Sequence, residues 1–438
     1  MLDTVQLFRE TNPAKPLAVE RREDRSYYID FSSVRGGRII EKLKNKIALF
    51  SPNEPTCELF TGHIGCGKST ELLRLKAELE QEGFYVVYFE SDQDLDIDDV
   101  DIGDILLVIA RRVSANLENS DISLHSGYFE NLFREIQDIL NLLSFDVSEV
   151  AVGGALSVGM AQITAQVKAS PRARDKLRSF LEPQTNSIID AINQELLEPA
   201  IKTLKHHGKK GLVVIVDNLD RITPSPKAWG RPQPEYLFID RGEQLRRLHC
   251  HLVYTIPLGL RFSTDYGILT QRFLVDPKVL PMVPVKWRDG TEHKQGMALL
   301  RQMILARAFP YFEPEQRLQK ITEIFDSPET LDRLCRVSGG HVRNVLRFLN
   351  ECIQLEMILP LSREVLEQVI RIERNNRTLG ISDDKWELLR QVHQYKKVID
   401  VSSYQTLIRG RLIYEYYDQV DPWFDVNPIL IEAKEFQL

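Results

Sequence analysis

Gly62, Gly65, Gly67, Lys68 and Ser69 fall within one short run, Gly62-His-Ile-Gly-Cys-Gly-Lys-Ser-Thr70. Glycines at that spacing let main-chain N–H groups turn inward on an anion. A lysine there adds a point charge, and a serine hydroxyl is a hard oxygen ligand for Mg²⁺. The chemistry on offer is the cradling of the β- and γ-phosphates of a nucleoside triphosphate. His63, Cys66 and Thr70 complete the loop positions assigned to nucleotide contact. Cys66 reads as a small filler, with thiol oxidation the alternative.

A second run, Gly211-Leu-Val-Val-Ile-Val-Asp-Asn-Leu-Asp220, closes an apolar stretch with two carboxylates. A carboxylate at the carboxyl end of a buried strand can hold Mg²⁺ through water, which is the role assigned to Asp217. Asn218 stands where a second carboxylate often adjoins such an aspartate. Asp220 is therefore the candidate base or water-positioning group.

These residues need elements to hold them. An apolar run leads into Gly62 as a strand, and the helix formers of Glu71–Glu80 follow the loop. A helix starting there aims its positive dipole end at the phosphates. Leu212–Val216 is continuously apolar and β-branched, as in a central parallel strand covered on both faces. Gly83 ends the first helix, and Phe84–Phe89, His251–Pro257 and Val279–Val285 read as further strands. Ile39, Ile40, Leu43 and Ile47 recur at helical spacing after an extended N-terminal arm. Tyr27, Tyr28 or Arg35 of that arm either touch an adenine base or pack.

Seven aspartates between Asp92 and Asp104 loosely resemble a calcium loop but lack its central glycine and final glutamate. A solvated loop capping a helix over Asp104–Val113 is the preferred reading. Up to about Lys205 the chain carries an insertion. It has an amphipathic helix over Phe129–Leu143 and an uncharged stretch, Val150–Val167. Glycines 153, 154 and 159 argue for a hairpin there rather than membrane contact. A helix over Asn186–Lys205 brings the chain back.

With Asp217 and Asp220 on the page, the chain resembles the signal-transduction ATPases with numerous domains (STAND) of the AAA+ superfamily, themselves similar to origin-recognition-type initiators. The resemblance covers most of the chain after about residue 30. It implies an α/β, parallel-sheet P-loop NTPase with a helical insertion, an α-helical lid and a C-terminal winged helix. It implies ATP or ADP with Mg²⁺ as ligands, and slow hydrolysis with Asp220 as the catalytic carboxylate. Thr255 then falls where such proteins carry a polar sensor of the γ-phosphate. Arg272, before the Val279–Val285 run, becomes a candidate arginine finger for a neighbouring subunit, or else a surface arginine. Arg343, in Ser338-Gly-Gly-His-Val-Arg-Asn-Val-Leu346, becomes the second sensor. No Asn-Lys-x-Asp motif is present, which favours ATP over GTP.

The domains expected are an N-terminal arm and helix (1–50), an ATPase core (51–285, with its insertion at about 92–205), a lid (286–375) and a winged-helix-like domain (376–438). In the last, Ser382 is the N-cap of a first helix, Ser402–Ile413 forms a second, and Tyr414–Phe424 feeds an aromatic hairpin. Lys396, Lys397, Arg409 and Arg411 could meet DNA phosphates, against which stand the nearby acids Glu415, Asp418, Asp421 and Asp425. Packing on the ATPase is the alternative.

At 438 residues with 43% hydrophobic and 27% charged residues, the chain is of globular composition and long enough for two to four domains. A net charge of −7 argues against a dedicated nucleic-acid coat. Five scattered cysteines without a C-x-x-C pair suggest neither zinc nor a disulfide framework. The N-terminus has no basic start followed by an apolar core, so a cytoplasmic location is expected. The partners expected are ATP, a protein effector, a homo-oligomer and, through the winged helix, DNA. A membrane is not among them.

Overall fold

Runs of β-branched residues that leave no polar face have to be covered on both sides, and here they are. In the computed structural model, which describes residues 3–120, 122, 127–141, 161, 163–165, 168–398, 401–419 and 421–437, β1 (Cys57–Gly62), β3 (Leu212–Asp217) and β4 (His251–Thr255) are buried along their whole length. With β2 (Tyr85–Glu90) and β5 (Lys278–Leu280) they form a sheet in the order β2-β3-β4-β1-β5. The pairs β2–β3, β3–β4 and β4–β1 are parallel. Alternate residues, Leu59, Val87, Phe89, Val214, Val216, Leu252 and Tyr254, join one core with Ile105 and Leu106 of the helix Ile102–Glu118. The opposite parity, Phe60, Val86, Val213, Ile215 and Val253, is buried as well. This is the parallel-sheet P-loop NTPase fold expected from the motifs.

The chain divides into two compact units, one of Glu41–Thr61 and Leu75–Lys278, the other of Met1–Ile40, Gly62–Arg74 and Val279–Leu438. The first holds β2, β3, β4 and nearly all of β1, together with the insertion. Its aspartates are not merely solvated. Asp101 caps the helix Ile102–Glu118, completing a reciprocal capping box with Asp104. Asp94 pairs with Arg111 and Arg112, both at 2.6 Å, and Asp99 with Arg178 at 2.6 Å. The aspartate-rich loop is thereby fastened to its own helix and to the helix Pro171–Leu181. Among the described residues no group of three or more His, Cys, Asp or Glu side chains is arranged to hold a metal ion.

The returning helix is broken into Thr185–Ala191, a π-turn at Ile192–Leu197 and Glu198–His206. Pro199 explains the break, because it has no N–H to donate into the helical ladder. The hairpin expected over Val150–Val167 lies largely outside the described residues. The four that are described, 161 and 163–165, are helical. No helix among the described residues is long and apolar enough to cross a membrane.

The second unit is mostly helical: Lys294–Ala308, Pro328–Ser338, Val342–Glu356, Arg363–Thr378, Asp383–Tyr395 and Val401–Arg409. The antiparallel hairpin β6 (Ile413–Asp418) and β7 (Asp421–Val426) follows. Four local expectations are corrected here. The N-terminal arm contains two short helices, Thr4–Glu10 and Arg22–Tyr27, the first capped by Asp3. The helix expected to reach Ile413 stops at Arg409, because Gly410 and the left-handed Arg411 (φ 59) turn the chain into β6. Ser382 holds the N-cap position of Asp383–Tyr395, but its side chain makes no capping bond. The strand expected over Val279–Val285 is only the three-residue β5, since Pro281 and Pro284 carry no N–H for a ladder.

Candidate nucleotide-binding site

In the unit that carries the phosphate loop, Lys68 opens the helix Lys68–Gln81. The unsatisfied N–H groups and positive dipole end of that helix therefore lie at the loop. The Lys68 ammonium is buried and donates to Gly62 O at 2.8 Å and His63 O at 2.9 Å. Ser69 is half-buried in the first helical turn. The Thr70 hydroxyl accepts from the Leu17 N–H at 3.2 Å, which ties the N-terminal segment to the helix. Gly67 (φ 105) and Gly65 (φ 90) occupy backbone that a side chain would strain. A Cβ on Gly65 would also stand 2.6 Å from His341 Cε1 and 3.0 Å from Arg343 Cβ.

The loop is held from three sides by residues distant in sequence. Arg35 is buried and donates through Nη2 to Cys66 O at 2.8 Å and through Nε to Pro281 O at 2.7 Å. His341 Nε2 lies 2.9 Å from Ile64 O, while its Nδ1 accepts from the Asn344 N–H at 3.1 Å. A carbonyl on one nitrogen and an N–H on the other specify a neutral ring protonated at Nε2. Burial agrees, holding the His341 pKa well below the usual histidine value. The Arg343 N–H donates to Gly65 O at 3.1 Å. His63 Nε2 accepts from the Glu415 N–H of β6 at 3.1 Å, so this ring is neutral too. Burial, with the Lys68 and Arg411 charges adding to it, pushes its pKa down to about 3. The Tyr414 ring lies 5.8 Å from His63 and 5.7 Å from His341, stacked on the latter.

The arm residues considered for the adenine base make the following contacts within the protein. Arg35 serves loop carbonyls. Tyr28 donates to Glu71 at 3.1 Å and accepts from Arg74 at 2.8 Å, and Tyr27 packs beneath the Arg307 guanidinium. Cys66 is wholly buried with Sγ 3.5 Å from Leu280 O, the position of a filler. His341, Glu415 and the loop-bracing role of Arg35 were missed from sequence. Only His341, two residues before Arg343 at a helix entry, lay within a recognised motif.

In the sheet-bearing unit, Asp217 ends β3 and is buried. Its Oδ2 accepts from the Tyr88 hydroxyl at 2.8 Å and its Oδ1 from the Asn218 N–H at 2.7 Å. Asn218 is left-handed (φ 65), and its Nδ2 donates to Asp92 Oδ1 at 2.8 Å. Arg221 donates to the other Asp92 oxygen at 2.6 Å. Asp220 is buried within the single turn Leu219–Arg221 that these bonds bracket. Thr255, at the end of β4, accepts from the Leu219 N–H at 3.0 Å. Asp217, Asp220 and Thr255 thus share one strand-end cluster. Arg272 does not join it: on the helix Tyr266–Phe273 it pairs with Glu243 at 3.2 Å.

Of the four cations considered for DNA, Lys396 is spent inside the C-terminal module. It pairs at 2.9 Å with the fully buried Asp425, which also meets Lys286 at 2.6 Å and His393 at 2.8 Å. Lys397 and Arg409 are exposed, and Arg411 is half-buried.

Sheet and loop define a P-loop nucleoside triphosphatase domain. Residues 37–227 match the family model described as the KAP family P-loop domain, a span that includes both the glycine loop and the Asp217–Asp220 run. Among curated proteins, none matches the sequence. Among the solved structures that are similar, three examples cover nearly the whole chain. The Walker-type ATPase of Pyrococcus abyssi is 12% identical, with 97% of this chain and 99% of that one covered and a TM-score of 0.43. The ORC2 protein of Aeropyrum pernix, determined as ADPNP–ADP complexes, is 13% identical, with 91% and 90% covered and a TM-score of 0.39. Cdc6p from Pyrobaculum aerophilum is 10% identical, with 91% and 92% covered and a TM-score of 0.35.

Proposed function

We propose that the chain is an ATP-binding and slowly hydrolysing molecular switch of the STAND/AAA+ type, in which nucleotide state sets the contacts of the C-terminal segments. One observation carries the reading. The phosphate loop is hydrogen-bonded to the start of the helix Val342–Glu356 through His341 and Arg343, and to β6 through Glu415. A loop that reshapes around phosphates cannot leave those bonds unchanged.

The residue roles follow the motifs. Gly62, His63, Gly65, Cys66, Gly67, Lys68, Ser69 and Thr70 form the nucleotide cradle, and Thr255 senses the γ-phosphate. Ser69 and Asp217 are the magnesium ligands, hard oxygens of the kind Mg²⁺ selects. When bound, Mg²⁺ offsets charge on the β- and γ-oxygens. Lys68 stabilises the same charge, Asp220 orients the attacking water, and Arg343 and Arg272 are the arginine candidates in cis and in trans. The partners proposed are a protein effector and further copies of the chain. DNA is the alternative partner, with the exposed Lys397 and Arg409 as its phosphate contacts.

Hydrogen exchange tests the coupling. The expected outcome is a change in amide protection across 342–356 and 413–418 between ADP and a non-hydrolysable ATP analogue with Mg²⁺. That change disappears in Lys68→Ala. Identical protection in both nucleotide states would end the switch reading, and salt-dependent duplex binding in its place would favour the DNA alternative.

A further inference from the structure

We infer that Tyr88 is a positioning residue for the Asp217 carboxylate, and through it for the metal bound with nucleotide. The inference rests on the proposal that Asp217 is a magnesium ligand.

A carboxylate turns easily about its last side-chain bond, because that torsion is broad. Asp217 has a donor on each oxygen: the Asn218 N–H on Oδ1 at 2.7 Å and the Tyr88 hydroxyl on Oδ2 at 2.8 Å. The first donor is the N–H of the next residue in sequence. The second comes from a neighbouring strand. β2 and β3 run in parallel with Tyr88 opposite Ile215 and Glu90 opposite Asp217. Tyr88 is thus the diagonal neighbour of Asp217 on the same face of the sheet, within reach of a long side chain. Two donors on two oxygens fix the plane of the carboxylate. Each oxygen can accept more than one hydrogen bond, so a donor that sets the plane also sets the direction of the other lone pairs.

Tyrosine suits this task for a physical reason. Its ring is partly buried on β2, while its hydroxyl takes a polar partner. Donors that hold a metal-ligating carboxylate commonly matter to metal affinity by at least an order of magnitude.

The test uses the full chain with Tyr88→Phe, which keeps the ring and removes only the hydroxyl. Binding of a fluorescent ATP analogue is measured with no divalent ion, in EDTA, and across a Mg²⁺ titration, beside wild type and Asp217→Asn. The expected result is a half-saturating Mg²⁺ concentration raised about tenfold in Tyr88→Phe. Metal-free nucleotide affinity and melting temperature stay at wild-type values. A wild-type Mg²⁺ dependence in Tyr88→Phe, with Asp217→Asn impaired, overturns the role of Tyr88 and leaves Asp217 standing. Equal losses with and without Mg²⁺ in Tyr88→Phe also overturn it, as a structural effect. An unchanged Mg²⁺ dependence in Asp217→Asn removes the underlying reading, and the inference falls with it.

Discussion

A neutral imidazole is what allows His63 to accept the Glu415 N–H. Its folded pKa of about 3 lies below the ordinary 6.5, so the unfolded chain takes up the proton first. The stability tied to the neutral ring is complete above pH 6.5 and is lost progressively as pH falls toward 3. Linkage sets the slope at about 1.4 kcal/mol per pH unit for one such group. His63→Gln can still accept from Glu415 through its amide oxygen but does not titrate. We predict that its unfolding free energy, followed by denaturant titration at several pH values, declines less steeply than that of wild type between pH 6 and 4 by about that amount. Parallel curves would mean that His63 is not the buried base described here. Nothing local marked this residue. His63 stood in the loop motif as a nucleotide contact, and only the return of the chain at Glu415 gives its ring a partner.

The C-terminal hairpin is fastened by one carboxylate. Burial pushes Asp425 up, but the His393 hydrogen bond and the Lys286 and Lys396 ammonium groups outweigh it and hold its pKa at about 2. Removing one partner of a buried ion cluster leaves the others uncompensated, which typically costs ~3–5 kcal/mol. Asp425→Ala should therefore unfold at lower urea, with the fluorescence of the buried Trp423, stacked 4.5 Å from Tyr416, as one reporter. A midpoint equal to wild type would refute this account of the hairpin. The elements themselves were legible: Trp386, Leu389 and Val392 mark one face of the helix Asp383–Tyr395, and aromatic residues mark the hairpin. The pairing of Lys396 with Asp425 was not, because a lysine shows its charge in the sequence and not its partner. The same holds for the aspartates after β2, whose arginine partners come largely from a distant helix.

For the molecule as a whole, the assembly form of the switch makes a prediction about mass. Light scattering with ADP, then with a non-hydrolysable ATP analogue and Mg²⁺, is expected to show a step to a defined oligomer. Arg272→Ala should abolish turnover in that oligomer while leaving nucleotide binding intact. Equal mass in both states would exclude the assembly form and with it the finger role of Arg272.

What the sequence determined by itself was local or periodic. Glycine spacing with Lys68 and Ser69 announces a phosphate loop, since few other residues permit that backbone. Uninterrupted β-branched runs announce a parallel sheet, since nothing else buries both faces so simply. Helix periodicity gave the insertion and the C-terminal segments, and it failed where proline forced a π-turn or shortened a strand. The tertiary structure alone decided that Arg35 braces the loop, that His63 and His341 are neutral hydrogen-bonding groups, and that Tyr88 orients Asp217. Each of these is a pairing of polar atoms between segments far apart in the chain. Such pairings depend on which strands and helix ends lie side by side, and residue type at one position carries no record of the neighbour that will meet it.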